Sequence, residues 1–140
     1  MSARGTGLGR VLNIVQVADA VFVNLKAGES VTFVGYKSGG DTYTISEAAV
    51  AGGSGSATLA KITDVYTSNG VGGAWTKVTQ AANAAYVASA DCVAFTVNAE
   101  QLSDGKTFIS CASTSTGTVT AIVHDLSTMR TPANLPSLIV

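Results

Sequence analysis

The chain has 140 residues, 46% of them hydrophobic and only 12% charged, with eight Lys and Arg against nine Asp and Glu. A net charge of −1 with no Lys/Arg run gives no electrostatic footing for nucleic acid, and a chain this apolar is not disordered. The length suits one domain with one core, and no stretch is long and apolar enough to span a membrane.

The apolar content is mostly Ala and Val, with 6% aromatics, fifteen glycines and abundant Thr and Ser. That mixture predicts a thin core made by many short strands and turns. So few charges are a poor covering for a free monomer and are easier to understand on a protein covered in an assembly.

Residues 1–10 form a Gly/Arg/Ser arm carrying Arg4 and Arg10, with no periodic pattern. With "VLNIVQVADA" behind it the arm loosely imitates a signal peptide, but Asn13, Gln16 and Asp19 interrupt the apolar run and no export is expected. "VLNIVQV" (11–17) reads as a first strand, apolar enough on both faces to be covered on both sides. "LKAGES" (25–30) is a turn. "VTFVGYK" (31–37) follows as a strand, with Val31 and Phe33 on one face and Val34 and Tyr36 on the other. "SGGD" (38–41) is a hairpin signal, with "TYTISEAAV" (42–50) as its return strand.

"AGGSGSA" (51–57) is a flexible loop. In "TLAKITDVYTSNG" (58–70) Leu59, Ile62, Val65 and Tyr66 fall at helical spacing, but the Thr content favours strand. "SNGVGG" (68–73) is a turn, and "AWTKVTQ" (74–80) a strand led by the only Trp. "AANAAYVASA" (81–90) reads as a short helix or a loop. "CVAFTVNA" (92–99) is a strand with Val93, Phe95 and Val97 on one face. "EQLSDGK" (100–106) is a turn. "TFISCAS" (107–113), "TSTG" (114–117) and "TVTAIVHDL" (118–126) then read as a hairpin, with Val119, Ala121 and Val123 sharing a face. The last residues, 127–140, contain the only two prolines and end on Leu135, Leu138, Ile139 and Val140, which predicts an extended tail.

Strands at short intervals with turn signals predict an all-β fold: a single-domain antiparallel β-sandwich or partly open barrel over 11–126, with an extended N-terminal arm and C-terminal tail. Cys92 and Cys111 read as two small buried thiols, or as a disulfide if their strands pair. With His124 the only histidine, no zinc set is expected.

Reactive groups are scarce. His124 and Asp125 are adjacent on a strand, so their side chains should point to opposite faces and not form a pair. No G-x-S-x-G elbow, P-loop, zinc signature or calcium loop is present, and "GTGLG" (5–9) precedes a strand rather than opening a helix. No cofactor is expected. Trp75 could stack on a sugar ring, though a strand Trp is more often core or interface.

Three stretches, "VYTSNGVGGAWTKVTQAA" (65–82), "VNAEQLSDGKTFISCAS" (97–113) and "IVHDLSTMRTPANLPSLIV" (122–140), resemble the small capsid decoration, or cement, proteins of tailed bacteriophages with an HK97-type head. The resemblance covers most of the chain from about residue 11. It implies no catalytic residues. It implies a virion protein, made in the host cytoplasm, that binds the outer capsid surface and bridges capsomers, often as a homotrimer. The partners would be the major capsid protein and further copies of the chain, with no nucleic acid and no membrane. Contacts are expected at Arg4 and Arg10 in the arm, at Trp75, and at Arg130, Leu135, Leu138, Ile139 and Val140 in the tail. A head–tail connector or tail protein, and a small jelly-roll module binding carbohydrate or receptor, are the other readings.

Overall fold

The computed structural model describes residues 12–17, 21–26, 28–70, 73–126 and 137–139. The strands are β1 (Leu12–Val17), β2 (Val23–Asn24), β3 (Gly28–Tyr36), β4 (Thr42–Ala48), β5 (Ala57–Thr58), β6 (Ile62–Ser68), β7 (Thr76–Asn83), β8 (Ala85–Val87), β9 (Cys92–Asn98), β10 (Phe108–Ser113) and β11 (Thr118–Leu126). Among the described residues the only helical element is a 3₁₀ turn at Ala99–Gln101. One sheet runs β1-β11-β3-β9-β6-β7; the other runs β2-β10-β4-β5, with β8 also pairing β4. All pairs are antiparallel, and the fold is the expected all-β sandwich.

Alternation builds the core. Across β11, β3 and β9 the register sets Val123, Val31 and Val97 in one inward row and Ala121, Phe33 and Phe95 in the next. The two rings stand 5.8 Å apart between centroids, tilted by 45°. In the third row Gly35 lies between Val119 and Val93, and a Cβ there would stand 2.5 Å from the Tyr43 ring. The glycine is the hole into which Tyr43, from the opposite sheet, inserts. β1 is a strand as predicted and pairs with β11, but Ile14 is half-exposed while Val15 packs on the core. The expected covering of both faces is therefore absent at Ile14 within the single chain.

Both expected hairpins are instead arches between the sheets. β3 lies in the six-stranded sheet and β4 in the other; β10 and β11 are divided in the same way. The Gly39–Gly40 pair does adopt positive φ (84° and 88°), as a tight hairpin would require. The Gly40 amide closes a local turn on the Lys37 carbonyl, but the other bonds run to the segment before β9: the Gly39 amide donates to Asp91 Oδ1, Lys37 N–H to the Asp91 carbonyl, and Ala88 N–H to the Asp41 carbonyl.

Asp41 then ties the arches together. Its buried carboxylate accepts from the Thr42 amide (2.7 Å) and the Thr114 hydroxyl (2.8 Å) on Oδ1, and from the amides of Ser115 and Gly117 (3.3 Å each) on Oδ2. Burial alone would raise its pKa; the hydrogen bonds from Thr114, Thr42, Gly117 and Ser115 outweigh it and hold the pKa below 3.8. Beside it Tyr43 Oη is buried with no hydrogen-bond partner among the described residues. Burial, then the charge of Asp41, then Cys111 and Cys92, push the phenol up to about 12.

Of residues 81–90, expected as helix or loop, 81–83 and 85–87 are strand and only 84 and 88–90 are irregular. Between Ile62 and Asp64 the β6–β7 register jumps, so that Thr63 alone faces the three residues 80–82. This bulge bends β7, and after Ala84 the chain joins the other sheet as β8. The Gln80 amide fills the gap, donating to the carbonyls of Ile62 and Ala85 (3.1 Å each). Residues 62–68 are strand rather than helix, as expected.

At the far end of β4, buried Glu47 accepts from the Ser103 amide (2.8 Å) and hydroxyl (2.6 Å), fixing the turn before β10. Cys92 and Cys111 stand in different sheets, and no disulfide joins them. Leu138, expected as an outward anchor, is only 6% exposed and belongs to the chain's own core, and its carbonyl accepts from the Asn24 amide on edge strand β2 (2.6 Å). The physical reason is that β2 is a two-residue edge strand paired with β10 on one side, and Leu138 packs on the core beside it. Ile139 stays 47% exposed.

Leu138→Ala should lower unfolding stability by about 3 kcal/mol in chemical denaturation, whereas Ile139→Ala should leave the midpoint within error. The Asp41 clamp is complete above pH 3.8 and is lost as pH falls through its lower, folded-state pKa, while the Tyr43 contribution is complete below pH 10.0 and is lost as pH rises towards 12. Tyr43→Phe removes an unpartnered hydroxyl, so it should stabilise the fold by about 1 kcal/mol and weaken the alkaline limb of a stability–pH curve without moving the acid limb.

Candidate functional site

The outer face of the six-stranded sheet carries a groove of about 370 Å³, lined by Thr32, Lys61, Thr63, Asp64, Tyr66, Ala94, Phe95, Thr96, Asn98 and Gln101. Its origin lies in strand divergence. β9 pairs with β3 along its whole length but with β6 only at Cys92–Ala94. Beyond Tyr66, β6 turns away: its inward residues Ile62 and Val65 are three apart rather than two, and Thr63 and Asp64 both face solvent. Phe95 keeps its ring in the core, so it offers its main chain to the groove.

A chain of hydrogen bonds holds one wall. Thr96 Oγ1 lies 2.8 Å from Thr32 Oγ1, which lies 2.9 Å from His124 Nε2, while His124 Nδ1 lies 2.9 Å from Asp125 Oδ2. Sequence reasoning excluded that His–Asp pair, and the structure corrects it. Asp125 has a left-handed backbone, with φ 57°, which breaks the alternation and brings its carboxylate round to the histidine. An ionised carboxylate only accepts, so Nδ1 carries a proton. With a neutral imidazole, Thr32 donates to Nε2 and Thr96 donates to Thr32, leaving the Thr96 lone pairs to face the groove. With an imidazolium the hydroxyl chain runs the other way.

This arrangement has the order of a catalytic triad, carboxylate to imidazole to hydroxyl. The hydroxyl is that of a β-branched residue in mid-strand, bonded to a second threonine. The arrangement therefore positions hydroxyls. At the other wall, Ser30 donates to Asn98 Oδ1 (2.7 Å) and the Asn98 amide donates to Gln101 Oε1 (2.8 Å). Lys77 makes a solvent-exposed contact with Asp64 at 3.7 Å, worth little in water. Among the described residues no group of three or more His, Cys, Asp or Glu gathers to hold a metal.

The residues singled out in the sequence lie elsewhere. Trp75 is 52% exposed just ahead of β7, at the edge of the six-stranded sheet, whereas Leu138 and Ile139 sit by β2 at the edge of the other sheet. Arg4, Arg10, Arg130, Leu135 and Val140 lie outside the described residues, as do the arm at 1–10 and most of the tail. The groove residues went unnoticed because Thr32, Thr96 and His124 become neighbours only through strand register. The nearest sequence signal is the run of Thr at outward positions.

No family model matches the chain, and no curated protein matches it. Among solved structures it is similar to the SPBc2 prophage-derived protein YomS, at 10% identity and a TM-score of 0.40, over 81% of this chain and 94% of that one.

Neutral His124 should be a single Nδ1–H tautomer in long-range proton–nitrogen spectra. Asp125→Asn tolerates the left-handed backbone and should keep the fold while shifting those imidazole nitrogens towards a tautomer mixture.

Proposed function

We propose that this chain is a non-enzymatic structural protein of a phage virion, binding the outer surface of the capsid and stabilising it by bridging capsomers. One observation carries the reading beyond the sequence resemblance. Ile14, Tyr36 and Tyr66 stand about half-exposed on strands of the six-stranded sheet, with Trp75 at its edge, on a chain with only 12% charged residues. Aromatic side chains left in water on a rigid sheet suit a surface that a partner covers. The partners are the major capsid protein and further copies of the chain, in a homotrimer; neither nucleic acid nor membrane is involved.

Two features favour many weak contacts repeated over a lattice. Among the described residues β1 and β7 are the edges of one sheet, where a neighbour's strand could add. Repetition on a symmetric shell multiplies contacts that are weak singly. The remaining arm and tail residues, with Arg4, Arg10, Arg130, Leu135 and Val140, would extend those contacts.

Purified expanded shells mixed with the protein and pelleted should carry it at a ratio near one copy per major capsid subunit, and the bound shells should resist heating better than bare ones. Tyr36→Ala together with Trp75→Ala should reduce that ratio while leaving the melting temperature of the isolated domain unchanged. A few to a few dozen copies per native particle would move the protein to the neck or tail, and no binding to any particle would end the structural reading.

A further inference from the structure

We infer that the groove over β9 is a carbohydrate-binding site, taking a pyranose unit of a neutral glycan. The inference goes beyond capsid binding and rests on the lining of the groove alone.

The rim supplies a stacking surface. Tyr66 is 46% exposed; the register sets it opposite Lys77 on β7 but opposite the small Ala94 on β9, so the ring is open on its groove side. A flat, half-exposed ring of this kind packs against the C–H face of a sugar. The walls supply fixed polar groups. Gln101 Oε1 and Asn98 Oδ1 are occupied by protein donors, so each side chain keeps its NH₂ group for a ligand. Thr96 is chained to Thr32 and His124, and with a neutral imidazole it offers lone pairs. Asp64 offers a carboxylate. Donors and acceptors thus line one small groove, and neighbouring sugar hydroxyls, which both give and accept, match such a set.

Charge and shape narrow the class. Lys61 and Asp64 leave the lining with no net charge, and Asp64 is further met by Lys77 at 3.7 Å, so hydrogen bonds rather than one dominant charge would hold the ligand. Apart from Tyr66, no large side chain offers an apolar surface for a peptide anchor. Strand addition is also a poor fit: the side of β9 without a strand partner is only the stretch 95–98, and the Asn98 amide is already taken by Gln101. The hydrogen-bonded walls reduce the ordering cost of binding, as a site for a small ligand requires.

The test is a titration of the isotope-labelled full chain with free glucose, galactose, mannose and N-acetylglucosamine and their short oligomers, followed by amide spectra. At least one sugar should give saturable shifts confined to the neighbourhood of Tyr66, Thr96, Asn98 and Gln101, with a millimolar dissociation constant. Tyr66→Ala and Thr96→Val should each weaken that binding roughly tenfold, a loss of about 1.4 kcal/mol, with spectra otherwise unchanged. The inference is overturned if no sugar gives saturable shifts, if the shifts map to Trp75 or survive both substitutions, or if an unstructured peptide occupies the groove and no sugar does. Shell pelleting reads the structural role separately, so either reading can fail alone.

Discussion

Four donors converge on the Asp41 carboxylate: its own neighbour Thr42, and three groups of the arch at 114–117. Each arch changes sheets, so neither has the ladder of bonds that closes a hairpin. A buried carboxylate replaces that ladder and holds the ends of β3, β4, β10 and β11 in one place. The Tyr43 ring, inserted into the hole at Gly35, locks the same end from within. Glu47 repeats the device on a smaller scale at the other end of β4, on Ser103. A core made mostly of Val and Ala has little shape to specify how two sheets sit, and these polar clamps supply the registration it lacks.

The same thinness frees the outer face for function. Large side chains that a fuller core would have used stand on the surface instead, as Ile14, Tyr36, Tyr66 and Trp75. The aromatic rim of the β9 groove is one of them. A lattice-binding role and a sugar-binding groove share Tyr66 but otherwise draw on different parts of this surface. The first uses sheet edges and scattered apolar side chains; the second uses a local splay of β6 from β9 beneath fixed hydroxyls and amides.

Alternation was readable wherever a strand had one buried face: Val31 and Phe33, then Val93, Phe95 and Val97, then Val119, Ala121 and Val123 all point inward as their spacing predicts. What could not be read was partnership. "SGGD" and "TSTG" have the residues of hairpin turns, and glycines at positive φ look alike in a hairpin and in an arch. The difference lies in Asp41 reaching residues more than seventy positions away. The Ala-rich 81–90 stretch reads as helix or loop because nothing local marks a bulge filled by Gln80. Of the candidate site almost nothing was legible. The His124–Asp125 pair depends on one left-handed residue, and the groove depends on register. The tail was read as extended and apolar, but which surface it would cover depended on an open edge at β2 that only the assembled sheet creates.

Thr32 bonds to residues 64 and 92 positions further along the chain. β3 must therefore wait for β9 and β11 before either of its edges is satisfied, and β4 must wait for β10. Long stretches of chain have to be ordered before those contacts return any free energy, the circumstance in which folding is slow and unpaired strands stay exposed longest. The two sheets should consequently form together in one late, cooperative step, and no fragment that stops short of β11 can hold the groove. Searches for its activity in truncated pieces would miss it, whatever the ligand.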